Sequence, residues 1–207
     1  VAERGYASLR FDFPGSGDST APFTLNNIPD QQYEAKLAFD YLARLDNVDE
    51  TRLGVVGFSL DGIVGANLAA ADERVQALVL WSTPGDVGFR FSDRYEQYYA
   101  EAKANGYADV DLGFTRVDLS ATFFESTWAS YPLHDIRGYR NPLLVVVGEN
   151  DAEIPGQAPL FILNSGSYDA TMIIVPDADH IFNVLTDDQT NAEYVIDTTA
   201  KWISEKL

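Results

Sequence analysis

Apolar residues at Tyr33, Leu37, Ala38, Tyr41, Leu42 and Leu45 recur at three- and four-residue intervals, which predicts a helix over 30–45. The pattern then changes. Residues 52–58 (RLGVVGF), 75–81 (VQALVLW) and 142–148 (PLLVVVG) are nearly continuous apolar runs, the signature of strands covered on both faces. Residues 6–13 (YASLRFDF) predict a strand entering a loop at Pro14-Gly15-Ser16-Gly17, and residues 171–175 predict another. Between the runs lie a small-residue helix over 60–71 and a closing amphipathic helix over 191–207. Val1 to Arg4 reads as the tail of a helix closed by Gly5. Strands alternating with helices predict an α/β class with a mostly parallel sheet.

One stretch interrupts the alternation. Residues 84–140 show no strong strand and two helical segments, near 92–104 and 120–129. Twelve of the 26 aromatic residues fall in 87–140, an enrichment that suits a cap sheltering an apolar pocket. An excursion packing aromatics for its own stability would look the same. The expected organisation is therefore a core of 1–83 and 141–207 with a helical, aromatic-rich cap at 84–140.

Composition narrows the function. The 207 residues, 46% hydrophobic, suffice for one full core, which excludes a disordered chain. A formal charge of -18 repels phosphate, so nucleic acid and anionic membranes are poor candidate partners, and no nucleic acid is expected. Asp outnumbers Glu 21 to 11 and Arg outnumbers Lys 10 to 4, a skew that suits high salt as well as ordinary solubility. With no cysteine there is no disulfide, thiolate chemistry or cysteine metal site. No apolar run approaches the roughly 18 residues of a membrane span. The sequence opens mid-fold without a start methionine, and a missing N-terminus would take any signal peptide with it, so a cytoplasmic location is a default expectation only.

The candidate chemistry begins at Gly57-Phe58-Ser59-Leu60-Asp61-Gly62, where a buried strand meets a small-residue helix. A serine on that turn stands above the carboxyl edge of the sheet, and the Leu60 N–H faces an oxyanion that would develop there. Gly57 and Gly62 let strand and helix cross closely. A serine needs a base, and the base needs an acid. His180 follows a strand in a loop, and Asp151 stands just past the strand at 143–147. Both fall where α/β sheets place their ligands. The order is Ser59, Asp151, His180. Glu149 and Asp179 flank the acid and the base and are alternative occupants of those roles. His134 is a surface or capping residue, with a substrate contact as its alternative, and Ser16 and Ser19 are loop formers, because no Lys follows them as a phosphate loop demands.

This order resembles that of the α/β-hydrolases. Leu9 to Ser19 is similar to that family's fourth strand and its D-x-x-G-x-G-x-S loop, and Pro142 to Pro155 to its acid-bearing strand and turn. The cap exit, Tyr131-Pro132-Leu133-His134-Asp135-Ile136, looks most like that of cinnamoyl and feruloyl esterases and related small carboxylesterases. The resemblance implies an acyl-enzyme on Ser59, with His180 as general base and then acid, Asp151 as its orienting carboxylate, and the Leu60 N–H as oxyanion donor. It implies a small ester with an apolar or aromatic acyl group as substrate, and no metal or cofactor.

Two features depart from the family. Asp61 stands where glycine is usual. The family's first three strands, with the loop giving a second oxyanion donor, have no counterpart here. The third of those strands would lie between 9–13 and 53–58, so the slot is expected to be filled by a segment ahead of Val1, filled by another chain as in a homo-oligomer, or closed by direct pairing. A hydrolase-fold binding module, and a same-fold acyltransferase, amidase or C–C hydrolase, are the alternative functions.

Overall fold

The computed structural model describes residues 2–112, 115–154 and 156–207, apart from the side chains of Glu3 and residues 88–94. Val1 and Pro155, assigned above to a helix tail and to the acid turn, lie outside the described residues. Two compact units form, one from Val1–Leu9, Phe39–Gly85 and Pro132–Leu207, the other from Arg10–Ala38 and Asp86–Tyr131.

In chain order the elements are α1 (Ile28–Ala43), β1 (Leu53–Phe58), α2 (Ser59–Ala71), β2 (Val75–Trp81), α3 (Val87–Asn105), β3 (Ala108–Asp111), β4 (Arg116–Leu119), α4 (Ala121–Trp128), α5 (Pro132–Asp135), β5 (Leu143–Gly148), α6 (Ala158–Asn164), β6 (Ala170–Val175) and α7 (Thr190–Lys206).

The first unit holds a four-stranded parallel sheet in the order β1-β2-β5-β6. The apolar runs are continuous because both faces are covered. Ala77, Val79, Leu144, Val146 and Val175 pack on one face against Val195, Trp202 and Ile203 of α7. The alternate residues Leu78, Leu80 and Val145 are buried on the other, where α2 lies on β1 and β2, and α6 on β5 and β6. The Trp81 indole N–H donates to Thr199 Oγ1 at 3.0 Å and ties α7 to the end of β2. All four strands end at one edge of the sheet, where loops carry chemistry in such folds.

Tyr6–Phe13, expected as a strand, joins neither sheet. A strand is held by its neighbour's hydrogen bonds, whatever its own propensity. Among the described residues β1 pairs with β2 alone, so the direct closure considered above does not occur.

The second unit adds short strands to a stretch expected to hold helices and no strong strand. Between α3 and α4 stands an antiparallel hairpin, β3 with β4. Its short strands alternate buried Ala108 and Val110 with exposed Asp109 and Asp111. Arg116 of β4 holds Asp109 at 2.9 Å and Asp111 at 3.1 Å, which offsets the repulsion of two neighbouring carboxylates. The aromatic residues form this unit's own core: Phe124 is buried against Tyr95, Tyr99, Phe123 and Trp128.

Candidate active site

The site is built from the ends of three strands. At the end of β1 the chain turns sharply into α2, and Ser59 takes a left-handed φ of 50°, a conformation that costs a serine free energy. The two flanking glycines are required by contact. A Cβ on Gly57 would stand 2.6 Å from Gly62 Cα, and one on Gly62 would stand 1.9 Å from Thr83 Oγ1. With Ser59 at the head of α2, the Leu60 N–H is among the first-turn donors that have no acceptor within the helix.

Asp151 follows β5 and is buried, its side chain 1% exposed. Its Oδ1 accepts from the backbone N–H groups of Glu153 at 3.0 Å and Ile154 at 3.2 Å. Its Oδ2 meets His180 Nδ1 at 2.9 Å. On the far side of the ring, His180 Nε2 lies 2.8 Å from Ser59 Oγ. The structure thus joins the three residues picked from the sequence into one hydrogen-bonded line. Burial pushes the Asp151 carboxyl up, but the bond and charge of His180, the Ile154 N–H and the Ser82 hydroxyl outweigh it and leave it below the ordinary range. A buried ionised carboxylate on Nδ1 fixes the tautomer that leaves Nε2 free to accept the serine proton.

The residues flanking Asp151 and His180 make other bonds. Glu149 accepts the Asp177 N–H at 3.2 Å, so it braces the histidine loop rather than the ring. Asp179 Oδ1 accepts from the N–H groups of Ile181 and Asn183 and shapes that loop. His134 is exposed beside Asp135. Ser19 Oγ accepts from the Gly15 and Ala21 N–H groups inside the glycine-rich loop. Asp61 is exposed at its surface yet crowded by protein on its remaining sides, and the lost hydration pushes its carboxyl up to about 6.

Sequence reading missed Gly148. A Cβ there would stand 2.3 Å from Asp179 O and 2.4 Å from Ala178 O, so only glycine lets the histidine loop lie on the end of β5. The Asn150 N–H donates to Ala178 O at 2.9 Å and closes that contact. A glycine ending an apolar strand three residues before the acid was the available signal. Ser82, Asp177, Phe182 and Asn183 were missed as well. With Ser59 they are the described non-glycine residues with positive φ, and all lie just past the ends of β1, β2 and β6. Such strain concentrates where the surrounding fold holds functional groups in place.

The comparisons agree with this architecture. The family model described as the alpha/beta hydrolase family matches residues 1–195. The chain belongs to the alpha/beta hydrolase family. Among curated relatives of this hydrolase, Hydrolase LUC6 of a Fusarium species is 32% identical over 130 residues, which cover 60% of this chain and 31% of LUC6. The chain thus spans less than a third of that relative. Among solved structures, the esterase domain of a Rhodothermus marinus protein superposes with a TM-score of 0.69 at 21% identity, over 98% of this chain and 75% of that one. Est1E of Butyrivibrio proteoclasticus, with ferulic acid bound, gives 0.70 at 18% identity, over 94% and 75%. At these identities the structural likeness establishes the fold. No helix among the described residues is long and apolar enough to cross a membrane.

Proposed function

We propose that the hydrolase is a serine esterase that cleaves small carboxylic esters through an acyl-enzyme. The observation that carries the reading is the unbroken line of bonds from Ser59 Oγ to His180 at 2.8 Å and from His180 to Asp151 at 2.9 Å. Ser59 Oγ attacks the ester carbonyl carbon as His180 Nε2 takes its proton. Asp151, held ionised, steadies the imidazolium so formed. The carbonyl oxygen becomes an oxyanion, and the Leu60 N–H at the head of α2 is the donor assigned to it. His180 then returns the proton to the leaving alkoxide, and water repeats the sequence to release the acid.

Phe58 stands with its ring centroid 5.5 Å from that of His180 and gives the base an apolar neighbour. It supports an apolar or aromatic acyl group, as does the ferulic acid bound to Est1E. Asp61 favours a second reading, a binding module of impaired activity, because a carboxylate two residues after the serine opposes a developing oxyanion when it is ionised.

Labelling by a serine-directed fluorophosphonate tests the reading, with turnover of p-nitrophenyl acetate and octanoate beside it. The esterase reading expects labelling and turnover that vanish in Ser59→Ala. Labelling that persists in that variant refutes the assignment, and labelling without hydrolysis of either ester favours the module or a same-fold acyltransferase, amidase or C–C hydrolase.

A further inference from the structure

Ser82 follows directly on β2 and is 1% exposed. Its φ of 43° lies in the left-handed region, which glycine enters freely and serine does not. The fold leaves it no freedom to relax. Its N–H donates to Val146 O at 2.8 Å, which ties it to β5 just ahead of Asp151. Its neighbour Thr83 fills the space where Gly62 lacks a Cβ, and the Thr83 hydroxyl turns back to Trp81 O at 3.2 Å. A strained residue pinned this firmly presents its side chain in one direction.

Its hydroxyl is buried and, among the described residues, makes no hydrogen bond of good geometry. Ser82 follows β2 beside β5, and Asp151 stands in the turn that closes β5, its N–H on Gly148 O at 3.2 Å; the hydroxyl helps to lower the proton affinity of that carboxylate. That carboxylate has room for it. Oδ1 already takes two backbone N–H groups, whereas among the described residues Oδ2 takes His180 and keeps a lone pair. A buried hydroxyl without another acceptor is costly unless it serves this one. Hydrogen bonds in resting active sites are commonly long or misaligned and tighten during reaction.

We infer that Ser82 is a positioning residue for Asp151, its hydroxyl closing onto Oδ2 as His180 gains its proton. The inference rests on the reading of Ser59, His180 and Asp151 given above. The hydroxyl then holds the carboxylate to one rotamer and draws off part of its charge. Without it the carboxylate wanders and becomes more basic, so the His180–Asp151 pair takes up its proton at a higher pH.

The test needs no natural substrate. The second-order rate of fluorophosphonate labelling at Ser59 is measured from pH 5 to 9 for the wild type, Ser82→Ala and Ser82→Gly, each also with Asp151→Asn. Both substitutions are expected to lower the plateau roughly tenfold, as loss of a hydrogen bond to a charged group does. They should also move the acid limb to higher pH and add no further loss once Asp151 is Asn. Glycine is unstrained at this φ, so Ser82→Gly guards against a folding defect, and its melting curve should match the wild type. An acid limb that stays in place, or losses that multiply in the Asp151→Asn background, overturns the role of Ser82 alone. A wild-type chain that does not label at Ser59 overturns the triad reading and this inference with it.

Discussion

Replacing Gly148 by alanine tests whether the histidine loop is held by contact with the end of β5. The new Cβ would stand 2.3 Å from Asp179 O and 2.4 Å from Ala178 O. Ordinary van der Waals contact begins near 3.4 Å, so the loop must withdraw by about 1 Å. Both obstacles are backbone atoms beside His180, and the loop is bonded to the acid turn through Asn150, so the ring moves with them. The bond to Ser59 at 2.8 Å would stretch to about 3.8 Å, beyond hydrogen-bonding range. Misplacement of this size costs on the order of 10² in rate, and overpacking costs about 1–3 kcal/mol in stability. The assay is the fluorophosphonate labelling rate beside a urea unfolding curve. Gly138→Ala serves as the control, because a Cβ there meets only Ala70 O, at 3.7 Å. Wild-type labelling and an unchanged unfolding midpoint in Gly148→Ala would refute the argument, by showing that the loop yields freely.

Three further outcomes are expected. Asp151→Asn should lower the labelling rate by roughly 10³–10⁴, since an amide can favour the wrong tautomer of His180. Because the folded-state pKa of Asp151 is depressed, its contribution to stability is present above the ordinary aspartate range and fades as pH falls below about 4. Urea midpoints at pH 3 and pH 6 should therefore differ more in the wild type than in Asp151→Asn. Asp61 has the opposite sign: with its pKa raised to about 6, ionisation opposes folding increasingly between pH 4 and pH 6. Asp61→Asn should gain melting temperature relative to the wild type at pH 7.5 but not at pH 4, and an equal difference at both would refute the shift. Phe124→Ala, which empties the centre of the aromatic cluster, should cost about 3–5 kcal/mol by urea unfolding, and a loss below 1 kcal/mol would mean that the cluster collapses around the gap.

The parallel sheet, the elbow at Ser59 and the order of serine, acid and histidine were legible along the chain. Each is written in local terms: continuous apolar runs at 53–58 and 143–148, small residues where strand meets helix, and a histidine just past a strand. The hairpin at 108–119 was not legible in that way. Its strands are four residues long, and its outward positions carry the aspartates that an acidic chain places everywhere. Tyr6–Phe13 failed for the converse reason. Its strand propensity is real, but a strand needs a partner, and propensity names none.

The sequence favoured Asp151 over Glu149 by resemblance alone, and the physical ground for that choice lies in the fold. Both carboxylates follow the same strand, two residues apart, and only the folded loop shows one on a backbone N–H and the other on the imidazole ring. The same holds for Gly148 and Ser82, whose roles come from atoms roughly thirty and seventy residues away in the chain. Residue type and spacing act on the chain's near neighbours, so the sequence determined the parallel strands, the long helices and the groups that stand at their ends. Distances between those ends depend on how the elements stack, and the tertiary structure alone decided them.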